Sequence, residues 1–501
     1  MSLATVYTRA KCGIDAPLVR VEVHLSNGLP ALSIVGLPET AVRESKDRVR
    51  SAIINSHFEF PSRRVTINLA PADLPKEGGR FDLAIAIGIL AASKQLPNHT
   101  LETFEFLGEL GLTGELHPVQ GALAAAIKSS KAERALVVPA ANTDEATLCE
   151  EATIFSCNNL LQLSAHLHNR ELLTPQRAQA PSQSSPNYPD LSEVKGQALA
   201  RRALEIAAAG NHNLLFCGPP GTGKTMLASR LPGILPPLNQ QEMLEVAAVY
   251  SISQQSSPRH YYQRPFRNPH HTASPIALVG GGSSPRPGEI SLANHGVLFL
   301  DELPEFQRRV LEVLREPLES GEILISRANQ QLVFPANFQL IAAMNPCPCG
   351  YYGDLHKACR CSPDQLRRYR DKISGPLLDR IDMQVTVNRL PVSALRQQQQ
   401  AGEASATVLK RVMRCRDLQQ QRQQCTNSRL DNRLLELHCP LSEKDHELLE
   451  LAVMQWHLSP RAYHRILRVA RTIADLAAAV DINSQHLTEA MSYRALDKEQ
   501  T

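Results

Sequence analysis

No apolar run in this chain is long enough to cross a bilayer. The longest, such as IAIGILAA, fall well short of the roughly 20 residues a transmembrane helix needs, which argues against a membrane protein. The first residues, MSLATVYTRAKCG, lack the apolar centre of a signal peptide. Excess charge is also missing: 53 Lys and Arg against 50 Asp and Glu leave a net +3 over 501 residues. Whole-chain charge therefore argues neither for nor against nucleic acid, and local clusters must decide. Repeats of solenoid length are absent. The expectation is a cytoplasmic protein. Its 43% hydrophobic and 21% charged residues suit a globular chain, long enough for two or three domains.

Two stretches are too polar to fold alone. TPQRAQAPSQSSPNYPD (174–190) has four prolines, three serines and three glutamines. RQQQQAGEASAT (396–407) is the second. They suggest an N-terminal domain over 1–170, a linker over 171–190, a core over 191–395 and a C-terminal helical region over 396–501. The N-terminal part reads as mixed α/β. LVRVEVHLSNGLPALSIVG alternates apolar and polar residues about Asn27-Gly28, a hairpin signal. RRVTINLA reads as a strand and FDLAIAIGILAAS as a buried helix. In the core, the strands NLLFCG, GVLFLDE and FQLIAAMN alternate with helical patterns, which predicts a parallel sheet.

The chemistry lies at the ends of those strands. Gly218-Pro219-Pro220-Gly221-Thr222-Gly223-Lys224-Thr225 is G-x-x-x-x-G-K-T, preceded by a strand and followed by a helical pattern. Its backbone N–H groups can surround phosphate oxygens, helped by a helix N-terminus. Lys224 would reach the β- and γ-phosphates of ATP, and Thr225 would bind Mg²⁺. Asp301-Glu302 ends GVLFLDE: Asp301 suits the Mg²⁺ shell, and Glu302 suits orienting or deprotonating a water. Asn345 ends FQLIAAMN, where a polar side chain could position that water; a turn-starting Asn before Pro is the alternative.

Directly after Asn345 comes PCPCGYYGDLHKACRC. Cys347, Cys349, Cys359 and Cys361 form two C-x-C pairs. Four thiolates can enclose Zn²⁺ tetrahedrally, with His356 as an alternative ligand; ordinary reduced cysteines are the other reading. Tyr351, Tyr352, His356, Lys357 and Arg360 on the same loop would suit contacts to DNA. Other DNA-facing candidates are Arg267, His270 and His271, and the stretch 405–433, with seven Lys/Arg against two acids. A solvated helix face explains that stretch equally well. A metal site on the two adjacent histidines lacks a carboxylate partner at suitable spacing.

In their order, these motifs resemble the AAA+ ATPases over residues 190–500. PGEISLANHGVLFLDELPEF, REPLESGEILISR and GPLLDRID resemble the magnesium-chelatase-like subgroup. That resemblance implies an AAA+ core with a parallel sheet and a C-terminal helical lid. It also implies a hexameric ring, Arg380 as an arginine finger reaching a neighbour's nucleotide, and Arg461 as the lid arginine. Arg370 and Arg465 are the nearest rivals.

LPKEGGRFDLAIAIGIL and FLGELGLTGELHPVQGALAAAI resemble the proteolytic domain of Lon. At the positions of that family's Ser-Lys dyad stand Arg80 and, within a residue, Leu123. Neither supplies a nucleophile or a base, so the resemblance implies the Lon-like fold without peptidase chemistry. A Lon-like domain joined to a chelatase-like AAA+ core resembles the YifB/ComM family. The family implies a DNA-dependent ATPase and helicase acting on single-stranded and branched DNA, with branch migration in homologous recombination during natural transformation as the expected role. A remodelling subunit of a chelatase-type or protease-type complex is the alternative.

Overall fold

The structure, a computed structural model, describes residues 3–36, 40–178, 188–253, 261–282, 285–327, 330–354, 356–389, 402–456 and 458–494. The chain divides into two compact units. The first comprises 1–184 with the segments 243–261 and 328–334; the second comprises 185–242, 262–327 and 335–501. Much of the linker and of the stretch 396–407 lies outside the described residues.

The first unit is built on a seven-stranded sheet. Its strands are β1 (Leu3–Arg9), β2 (Leu18–Ser26), β3 (Ala31–Val35), β4 (Arg64–Ala70), β5 (Phe104–Phe106), β6 (Ala135–Pro139) and β7 (Ile154–Cys157). The spatial order is β3-β4-β2-β1-β5-β6-β7. The expected hairpin about Asn27-Gly28 does not form. β4 inserts between β2 and β3, antiparallel to β2 and parallel to β3. The period-2 pattern was a sound strand signal, but an alternating strand can satisfy its buried face against any partner, and the distant RRVTINLA outcompeted the neighbour. The helix Asp82–Ala92 is buried along its whole length. Gly88 lets it approach β2: an added Cβ would lie 2.6 Å from Val23 Cγ2.

The second unit is built on a five-stranded sheet whose strands all pair in parallel. They are β8 (Leu214–Cys217), β9 (Phe266–Arg267), β10 (Val297–Leu300), β11 (Gln339–Met344) and β12 (Met383–Thr386), in the order β9-β10-β11-β8-β12. Every residue of β8, β10 and β11 is buried. Such uniformly apolar strands belong to a sheet covered on both faces.

The C-terminal helices, Ser405–Gln423, Glu443–Gln455, Pro460–Leu476 and Ser484–Ser492, share one hydrophobic core with that sheet. Pro460–Leu476 starts at Ser459, whose Oγ accepts from Ala462 N at 3.2 Å, with Pro460 in the first turn. It buries Ile466, Val469, Ala470 and Ile473 on one stripe. The basic helix Ser405–Gln423 spends several arginines internally. Arg411 pairs with Glu205 and Glu403, Arg422 with Asp475, and Arg416 donates to Ala208 O. Among the described residues, no helix is long and apolar enough to cross a membrane.

Candidate nucleotide site

In a parallel sheet all C-terminal strand ends face one way, and ligands bind in the crevice outside them. Here that edge gathers Gly218–Thr225 after β8, Asp301-Glu302 after β10 and Asn345 after β11. Gly218 sits where an added Cβ would meet Val387 O at 2.2 Å, so only glycine lets the loop lie this close to β12. Gly221 and Gly223 take φ of +77° and +86°, left-handed backbone that glycine adopts without cost. The helix that follows, Lys224–Ala228, is five residues long. It is shorter than the sequence pattern suggests, so its dipole contributes little and the loop N–H groups and Lys224 carry the phosphate contacts.

Lys224 is buried, and its Nζ donates to Gly218 O at 2.7 Å, Pro219 O at 3.0 Å and Asn345 Oδ1 at 3.1 Å. Burial pushes its pKa down, and the charge of Asp301 opposes that shift. Thr225 Oγ1 donates to Asp301 Oδ2 at 2.6 Å. The hydroxyl and carboxylate suited to one Mg²⁺ thus already touch, and the lysine sits poised on weak neutral acceptors that phosphate oxygens would replace. The residues fit ATP and Mg²⁺.

Glu302 has φ +53° and directs its carboxylate toward His271, with Nδ1 to Oε2 at 3.3 Å. The His271 ring lies 4.2 Å from that of His270, tilted by 33°, and meets Phe306 edge-on at 6.5 Å. Sequence reasoning offered His271 for DNA and missed this contact. Thirty residues of chain hide it, and only its position after β9, one strand from β10, could have suggested it. Arg267 is likewise engaged, in a two-bond pair with Glu289 at 2.6 and 2.8 Å.

Arg380 and Arg461 are brought together, but not to this site. Both line a cleft of about 760 Å³ with Asn211, Asn213 and Arg465. Asn213 precedes β8, and its Nδ2 donates to Arg380 O at 2.9 Å. The P-loop follows the other end of the same strand. Five residues at ~3.3 Å each separate the two ends by roughly 16 Å. Arg380 donates to Arg315 O and Pro376 O and pairs with Glu319. Of the rivals, Arg465 is buried against Asp382 at 3.6 Å, and Arg370 lies over the Tyr352 ring at 5.6 Å.

Relatives of known sequence match this arrangement. Profiles described as magnesium chelatase subunit ChlI match residues 190–395 and 21–142, and one for its C-terminal part matches 402–494. Competence protein ComM of Haemophilus influenzae is 52% identical over 502 residues, covering 99% of this chain and 98% of that protein. YifB of Salmonella typhimurium is 52% identical, and YifB of Escherichia coli 51%, each over 99% of this chain and 98% of theirs. The chain belongs to the YifB/ComM family. Its core is therefore that of a magnesium-chelatase-like AAA+ ATPase, which takes ATP and Mg²⁺.

Two further features of this YifB/ComM member fall outside the nucleotide pocket. The sulfurs of Cys347, Cys349, Cys359 and Cys361 lie within 4.8 Å of one another. Individual separations are 3.3 Å (Cys347–Cys349), 3.7 Å (Cys347–Cys359) and 3.6 Å (Cys349–Cys359). These exceed a disulfide bond of about 2.05 Å and are close to the ~3.8 Å sulfur spacing of a tetrahedron with 2.3 Å Zn–S bonds. His356 is exposed and lies outside this group. On the same loop Lys357 Nζ stands 3.9 Å from the Tyr351 ring centre.

In the first unit, Arg80 is buried, and its Nη1 donates to Gln120 O at 3.2 Å. Burial lowers its pKa to about 10, against the charges of Glu145 and Glu77. Leu123 is buried too, its N–H bonded to Glu145 Oε1 at 2.9 Å. Residues 80 and 120–123 thus adjoin, with no serine-lysine pair between them.

Proposed function

We propose that this chain is a ring-forming, DNA-dependent ATPase and helicase that drives branch migration of DNA strands in the cytoplasm. One observation carries the ring: Arg380 and Arg461 lie at the opposite end of the sheet from the P-loop of their own chain. Each nucleotide then needs arginines from a neighbouring copy, and a closed ring, six-membered in our reading, supplies every site equally. The 52% identity to competence protein ComM supports a role in integrating DNA during natural transformation.

In this reading Lys224 and the loop N–H groups bind the β- and γ-phosphates. Thr225 and Asp301 hold Mg²⁺, which when bound offsets charge on the transferring phosphoryl group. Glu302 accepts a proton from the attacking water, and Asn345 positions that water. The neighbour's Arg380 and Arg461 stabilise the charge that spreads over the phosphate oxygens. The four cysteines hold one structural Zn²⁺. Moving a branch point breaks pairs on one side and re-forms them on the other, so turnover mainly supplies direction and speed.

The test is ATP-dependent resolution of three- and four-stranded junctions, compared with Glu302→Gln. We expect conversion to the component duplexes by the wild type and none by the variant. Intact junctions with ATPase-competent protein would refute the branch-migration reading. The chelatase-profile matches along the chain also favour a remodelling subunit of a chelatase-type complex. ATP turnover indifferent to single-stranded, duplex and branched DNA would select that reading.

A further inference from the structure

We infer that the four-cysteine loop is a zinc-dependent strut for the phosphate loop, so that metal occupancy sets nucleotide affinity. The inference rests on the ATPase and zinc readings above and adds a coupling between them.

The loop is tied to the nucleotide site at two points. Its first cysteine, Cys347, stands two residues after Asn345, whose Oδ1 accepts from Lys224 Nζ at 3.1 Å. Between the first two cysteines and the tyrosines lies Gly350, at φ +84°. An added Cβ there would fall 2.8 Å from Pro220 Cδ and 3.3 Å from its Cγ, so the backbone of the cysteine loop packs directly on the P-loop. Beyond the last cysteine, Ser362 caps the helix Pro363–Arg370. That helix carries Tyr369, which is buried.

The loop has little of its own to hold this shape. From Pro346 to Cys361 only Cys347 and Gly350 are buried among the described residues. Ordering a segment costs about 1–2 kcal/mol per residue in backbone entropy, and so little burial cannot offset that. A tetrathiolate metal centre can, since metal binding to such loops is itself folding free energy. The backbone already faces the sulfurs: Tyr352 N–H donates to Cys347 Sγ at 3.3 Å and Cys361 N–H to Cys359 Sγ at 3.4 Å. Hydrogen bonds of this kind orient and tune the atoms that hold a metal. Without the metal, Pro220 loses its backing.

The test uses the full-length protein, purified under reducing conditions. Zinc is measured by elemental analysis, removed with a chelator and restored with Zn²⁺. Affinity for a fluorescent ATP analogue and circular dichroism are followed throughout. We expect about one zinc per chain, a loss of nucleotide affinity of about tenfold or more on removal, and recovery with Zn²⁺. Gly350→Ala gives a second arm that leaves the four ligands intact. It should keep its zinc and its fold, yet lose about 10- to 100-fold in kcat/KM, the penalty of a small displacement at a reacting centre.

Protein as isolated that holds no zinc and binds nucleotide tightly overturns the zinc reading and this inference with it. Stripped, folded protein with unchanged affinity, or zinc-loaded Gly350→Ala with wild-type kinetics, overturns the coupling alone. Failure of the zinc-loaded wild type to bind nucleotide overturns the ATPase reading instead.

Discussion

Replacing Arg380 by alanine separates a folding role from a role in turnover, because the two differ in size. In the structure Arg380 donates to Arg315 O at 3.2 Å and to Pro376 O at 2.6 Å, and pairs with Glu319, which is 60% exposed. Two carbonyl bonds and an exposed ion pair contribute about 1–4 kcal/mol together. That loss lowers the melting temperature without unfolding the protein. An arginine that stabilises a transferring phosphoryl group is worth about 10³–10⁵ in kcat, or roughly 4–7 kcal/mol.

Arg380→Ala should therefore stay folded and bind ATP through its own intact P-loop, yet lose at least a thousandfold in steady-state ATPase rate. Because Arg380 sits at the other end of β8 from that loop, complementation should work. Mixed with Lys224→Ala at equal ratio, a competent interface needs an intact P-loop beside an intact arginine. Random assembly supplies this at about one quarter of interfaces, so about a quarter of the wild-type rate should return. Phosphate release measured on mixtures shown to co-assemble tests this. No rescue, or Arg380→Ala at wild-type rate, refutes the assignment.

Two further substitutions probe the strand ends. Lys224→Ala removes the buried cation that donates to Gly218 O, Pro219 O and Asn345 Oδ1. Charge-assisted bonds contribute about 1.5–3 kcal/mol each, so binding of a fluorescent ATP analogue should weaken at least a hundredfold; retained affinity counts against the site. His271→Ala removes the ring 3.3 Å from the Glu302 carboxylate. Loss of an orienting partner should lower kcat about tenfold with little change in KM, and an altered KM with unchanged kcat would contradict a positioning role.

The P-loop, the Asp-Glu pair and the buried strands before them were legible in the sequence because each is contiguous. A glycine pattern or four apolar residues before two acids needs no distant partner to be recognised. The helix Asp82–Ala92 was legible from the length of its apolar run and the C-terminal helices from their periodicity, both of them local properties. Partner choice was not. The alternating strands on either side of Asn27-Gly28 carried no information that β4 would come between them, because a period of two sets a face and not a neighbour.

Three matters belonged to the tertiary structure alone. Only the packing of β9 beside β10 set His271 against Glu302, supplying the carboxylate that linear spacing withheld from the histidine pair. Only the direction of β8 placed Arg380 and Arg461 away from the P-loop that precedes them in sequence. The cysteines announced themselves by spacing, but their convergence within 4.8 Å and the seating of Gly350 on Pro220 required the loop to close. Residue type and local period follow from the chain itself. Which strand end faces which side chain depends on how all the buried surfaces are satisfied at once, and no single segment encodes that.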